Sequence, residues 1–66
     1  MSKVVNEFGV EIEFSVAENL MDDDLREEIA SAATCETEQE FFDEYSNRHN
    51  EKFGEDWELA KENPIF

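Results

Sequence analysis

Cys35 and His49 are the two side chains of this 66-residue sequence best suited to nucleophilic or acid–base catalysis, and nothing in their spacing joins them. Nucleophilic catalysis needs a thiol or hydroxyl beside a base that a third group orients. Cys35 falls between two helical patterns without neighbouring cations to activate it, so an inert thiol is expected. His49 falls on the aromatic side of the second pattern, where a packed or partly exposed structural histidine is expected rather than a general acid or base. Carboxylates are abundant, but among nineteen Asp and Glu residues some are neighbours by chance. A general acid also needs a carboxyl held in an apolar pocket, which so short a chain does not readily supply. The triplet Asp22-Asp23-Asp24 suggests a cation site, yet an EF-hand loop needs ligands at positions 1, 3, 5 and 12 with a glycine at 6, and no such register exists. One His and one Cys do not make a four-ligand zinc site. The expectation is a protein that is not an enzyme and has no metal or cofactor.

Charge is the more informative quantity. Nineteen acids against five bases give a formal net charge of −14. Direct binding to DNA or RNA is excluded, since that affinity comes from Lys and Arg neutralising phosphates and only Lys3, Arg26, Arg48, Lys52 and Lys61 are on offer. An anionic membrane surface repels the chain for the same reason, and no apolar run is long enough for a signal peptide or a span. A single cysteine cannot form an internal disulfide, which fits a reducing, cytoplasmic setting. Solubility alone calls for a net charge of about 2–8 in a small domain. Repulsion at Asp23/Glu27, Asp24/Glu28 and Glu40/Glu44 costs about 0.2–0.5 kcal/mol per pair, and Glu44/Arg48 is the one favourable arrangement in the pattern.

The elements that must carry these charges follow from periodicity. Residues 3–7 and the alternation Val10, Ile12, Phe14, Val16 predict a β-hairpin, with Asn6 opening the turn and Gly9 at a position that tolerates positive φ. A lone hairpin is not stable in water, so its apolar face must be covered. Met21, Leu25, Ile29, Ala32 and Ala33 predict an amphipathic helix over residues 22–33. Thr37-Glu38-Gln39-Glu40 is a capping box that opens a second helix, ending near Phe53 with Gly54 beyond it. A short third strand is expected around residues 57–60. The fold class is α+β, a hairpin or small antiparallel sheet packed by two helices in ββαα order, with residues 1–66 forming one domain. The expected core is Val10, Ile12, Phe14, Val16, Leu25, Ile29, Phe41, Phe42, Tyr45 and Phe53, with Trp57 covering an edge.

Several segments resemble small acidic proteins encoded by phages and mobile elements. They are Asn19-Leu-Met-Asp-Asp, Thr37-Glu-Gln-Glu-Phe-Phe-Asp-Glu-Tyr, Glu51-Lys-Phe-Gly-Glu-Asp-Trp-Glu-Leu-Ala-Lys and Asn63-Pro-Ile-Phe66, and the likeness covers about two thirds of the chain. Anti-CRISPR inhibitors are the best-understood functional group among such proteins. The resemblance implies binding to an RNA-guided effector complex and obstruction of its access to target DNA, and it carries over no catalytic residue.

Three roles for the charge stand side by side. In the first, helical rows of carboxylates about 5.4 Å apart imitate nucleic acid and occupy the basic groove of a nucleic-acid-binding protein such as a CRISPR effector. Asp23, Asp24, Glu27, Glu28, Glu40, Asp43, Glu44 and Glu51 are then the partner-binding residues. In the second, a protein-interaction module uses an acidic and aromatic face that includes Trp57 or Phe66, without mimicry. In the third, the charge serves solubility only.

Overall fold

The computed structural model describes residues 2–32 and 35–64 and has the expected α+β, ββαα architecture, extended by one more helix. Strands β1 (Lys3–Val5) and β2 (Glu11–Glu13) pair antiparallel with Val4 opposite Ile12. The Asn6 N–H donates to the Val10 carbonyl at 3.1 Å and closes a three-residue loop, in which Gly9 adopts φ 84° as its position requires. Val4 and Ile12 point inward and are inaccessible to solvent, while Lys3, Val5, Glu11 and Glu13 point outward.

The second strand is shorter than its alternation implies. It ends at Glu13, and residues from Phe14 onward form helix α1 (Phe14–Leu20). Phe14, Ala17 and Met21 repeat at i, i+3 and i+7, and the helix directs Ala17 and Met21 into the core. Val10, Phe14 and Val16 are consequently only partly buried.

Helix α2 (Asp23–Ala32) follows after two residues, capped by the Asp22 carboxylate, which accepts from the Leu25 N–H at 3.1 Å. Leu25 and Ile29 are buried and Ala32 is exposed. The expected continuation to Ala33 lies outside the described residues. Helix α3 (Glu38–Phe53) begins as the capping box predicts, with the Thr37 hydroxyl accepting from the Glu40 N–H at 3.2 Å. The reciprocal bond is displaced by one residue, because the Glu40 carboxylate accepts from the Glu36 N–H at 2.7 Å. Gly54, at φ 73°, ends the helix in the left-handed conformation.

Two side chains lock the hairpin to the rest. Gln39 acts as a surrogate strand: its Oε1 accepts from the Val5 N–H at 2.8 Å and its Nε2 donates to the Val5 carbonyl at 2.7 Å, closing the outer edge of β1. Asn6, a buried polar residue, accepts from the Phe8 and Val10 N–H groups through Oδ1 and donates through Nδ2 to the Leu59 and Lys61 carbonyls.

With the β1 edge closed, the segment after Gly54 adds no third strand among the described residues. It forms a 3-10 turn (Glu58–Ala60) in which the Leu59 carbonyl accepts from Asn6 Nδ2, as does the Lys61 carbonyl just beyond it. Trp57 lies inside rather than over an edge, 4.4 Å from Tyr45 and 5.3 Å from Phe42 between ring centroids. Phe53 leaves the expected core: at the last position of α3 it is 45% exposed and packs mainly on His49. Phe41 is half-buried, while Val4, Ala17, Met21 and Leu59 join the buried cluster in addition to the expected residues.

Candidate partner-binding surface

The isolated chemical groups resolve into structural roles. His49 stacks among Tyr45, Phe53 and Trp57, with Nδ1 3.1 Å from the Glu55 carbonyl, so a proton on that nitrogen is donated within the chain. The aspartate triplet diverges: Asp22 caps α2 and meets Lys52 at 3.6 Å, Asp23 meets Arg26 at 3.5 Å, and Asp24 faces solvent. Among the described residues no three His, Cys, Asp or Glu side chains converge as metal ligands would, and no helix is long and apolar enough to cross a membrane. Burial raises the pKa of the Tyr45 phenol; the hydrogen bond that its oxygen accepts from the Asp22 N–H at 2.7 Å opposes the rise, and the Asp22 charge adds to it.

Every basic side chain is occupied within the chain. Lys3 meets Glu11, Arg26 meets Asp23, Arg48 meets Glu44, Lys52 meets Asp22 and Lys61 meets Glu58, all within 4.0 Å. These contacts are at least partly exposed and contribute little stability individually, since surface pairs are worth about 0–1 kcal/mol. They leave the net charge of −14 unchanged. No cation is left over to offset the remaining fourteen carboxylates among the described residues, and the surface potential stays negative.

The eight carboxylates singled out by sequence lie on α2 and α3, which pack against each other. Asp24, Glu27 and Glu28 share one surface hollow with Ser31 and Lys52. Glu40, Asp43 and Glu44 share another with Glu36 and Asn47. Arg48 joins the two helices electrostatically: its pKa is raised first by the Glu44 hydrogen bond at 3.0 Å, then by the charges of Glu44, Glu28 and Glu51. Glu40, Glu44, Asn47 and Glu51 follow one another along the outer side of α3, and from first to last this row spans about 16 Å at 1.5 Å per residue. The eight are not equivalent. Asp23 and Glu44 hold arginines, Glu40 holds a backbone N–H and Asp43 accepts from Gln39 Nε2 at 3.1 Å. Asp24, Glu27, Glu28 and Glu51 have no such commitment among the described residues.

A feature missed in the sequence lies between α1, α2 and α3, next to both hollows. Phe14 from α1, Ala30 from α2 and Phe41 from α3 form the apolar floor of a groove of about 720 Å³. Cys35, half-buried, adds its thiol to the wall. Phe14 and Phe41 meet edge to face at 6.0 Å. Carboxylates of Glu18, Asp23, Glu27, Glu36 and Glu38 surround the opening. No local pattern announces this groove, because each helix contributes one floor residue. Trp57, expected as an exposed contact for an interaction module, is only 4% exposed and unavailable, and Phe66 lies outside the described residues.

No curated protein matches the chain. A family model does: the one described as Anti-CRISPR protein AcrIC5 matches residues 5–57.

Proposed function

The chain belongs to the AcrIC5 family of anti-CRISPR proteins, and on that premise we propose that it is a stoichiometric inhibitor that occupies the nucleic-acid-binding groove of a CRISPR effector with a surface of carboxylates. The supporting observation is that all five cations pair with five of the nineteen acids, which leaves Asp24, Glu27, Glu28, Glu40, Asp43 and Glu51 of α2 and α3 without a paired cation among the described residues. A groove lined with Lys and Arg attracts such a surface as it attracts phosphates, with fast, salt-sensitive association. Inhibition needs occupancy alone, so no catalytic residue, metal or cofactor takes part. The partner is a basic nucleic-acid-binding protein, and the setting is the cytoplasm in which such effectors work.

Asp24, Glu28 and Glu51 carry the test, because replacing them disturbs no cap and no first partner of an arginine. The triple variant D24N/E28Q/E51Q should keep the fold, bind a purified effector complex more than tenfold more weakly at low salt, and show a shallower dependence of log K on log salt. Parental affinity and an unchanged salt slope in this variant would reject the mimicry.

A further inference from the structure

We propose that the groove between α1, α2 and α3 seats an apolar side chain of the effector protein, carried on a segment flanked by Lys or Arg. This rests on the reading that the chain binds an effector, and it adds a second contact of different chemistry. Phe14 and Phe41 are large rings of a small domain that stay half-buried while neighbouring Phe42 and Tyr45 are sealed. The space above them, about 720 Å³, is within the range of sites that accept compact organic groups. Ala30 keeps the floor open, as a larger residue there would project into it.

The rim selects the occupant. Five carboxylates surround the opening, and the single cation lining it, Arg26, is turned inward along the chain, donating to the Glu18 carbonyl at 3.4 Å and to Asp23 at 3.5 Å. A nucleic acid is repelled by this rim, and a neutral apolar ligand gains nothing from it. A protein segment with one aliphatic or aromatic residue between basic ones satisfies floor and rim together. The apolar contact itself gives affinity that does not depend on ionic strength, whereas the basic flanks on the rim, which filling the floor leaves in place, add a salt-dependent part like that of the carboxylates of the α3 face.

The test substitutes Ala30, which is exposed on α2 and tolerates other good helix formers. A30Q fills the groove without altering charge, whereas A30S leaves it open. Titrated into a purified effector complex that the parent inhibits, A30Q should bind about tenfold more weakly with the salt slope unchanged, and A30S should bind within about twofold of the parent. Parental affinity in A30Q overturns the groove, and so do equal losses in A30S and A30Q. D24N/E28Q/E51Q measured alongside separates the two ideas. If it binds normally while A30Q fails, mimicry is refuted and the groove stands; if it fails while A30Q binds normally, the groove is refuted and mimicry stands.

Discussion

Replacing Asn6 should remove a large share of the stability of this protein. Its amide makes four hydrogen bonds, to the Leu59 carbonyl at 3.0 Å, the Lys61 carbonyl at 2.8 Å, the Phe8 N–H at 2.9 Å and the Val10 N–H at 3.1 Å. The bond to Leu59 is buried and the other three are partly buried. A buried acceptor left unpaired costs about 1–3 kcal/mol, and each of the others about 0.5–1 kcal/mol because water reaches them in part. N6A should therefore lose about 2.5–6 kcal/mol. A chain of this length has about 3–10 kcal/mol in total, so the loss is a quarter or more. At about 4–8 °C per kcal/mol the melting midpoint should fall by at least about 10 °C.

N6D sharpens the test. Its carboxylate keeps both N–H donors but turns an oxygen toward two carbonyl oxygens, which raises its pKa in the folded state. The folded form then binds the proton more tightly than the unfolded form. Stability relative to the parent should be best at acid pH and should fall as pH rises through the ordinary carboxylate range. Urea titrations followed by the emission of buried Trp57 measure both variants. A loss below about 1 kcal/mol in N6A, or an N6D-minus-parent difference that is flat with pH, refutes the role assigned to Asn6.

Tyr45 makes a prediction at the alkaline end. Because burial raises its pKa above 10.0, the unfolded chain releases the phenol proton first, so its contribution is intact below pH 10 and is lost as pH climbs through the folded value. Y45F should cost about 1 kcal/mol near neutrality, where the Asp22 N–H loses its acceptor, yet decline less steeply than the parent above pH 10 in urea titrations. Charge substitutions should not follow net charge alone. E27K replaces the repulsion with Asp23 by an attraction one turn apart and should raise the melting midpoint by a few degrees, about 0.5–1 kcal/mol. E40Q also removes a negative charge but weakens the acceptor of the Glu36 N–H and should lower it; midpoints shifting in the same direction would mean that overall repulsion dominates.

Helices α2 and α3 were legible in the sequence because each carries its own punctuation. Thr37 and Gly54 bound α3 by local hydrogen bonds, and Leu25, Ile29, Phe42 and Tyr45 mark the buried sides by spacing alone. Residues 14–21 carry two periods at once: Val10, Ile12, Phe14 and Val16 alternate as a strand, while Phe14, Ala17 and Met21 repeat as a helix. The helical reading prevails because it buries Ala17 and Met21, which a longer strand would not align. Trp57 and the absent third strand turn on contacts distant in sequence, Gln39 against Val5 and Asn6 against Leu59, which no window of neighbouring residues contains. The same holds for the groove, whose floor is assembled from three helices. Acidic residues are legible as a class; which of them also brace the backbone, as Glu40 does, becomes visible only in the fold.

Charge alone makes a poor specificity device. Every protein that grips nucleic acid offers a basic groove, and at physiological ionic strength the attraction between exposed charges decays within about 8 Å. A purely acidic surface would engage many such grooves weakly and each less well as salt rises. In the proposed mode of binding, the net charge of −14 sets the long-range attraction, while the Phe14–Phe41 groove would supply a short-range condition that a basic groove without a suitably placed apolar side chain cannot meet. The two requirements also fit the scaffold. A domain this small cannot bury every ring it carries, so leaving Phe14 and Phe41 half-exposed as the floor of the groove costs little stability, and like charges on an acidic rim disfavour contact of the patch with a second copy of the same chain.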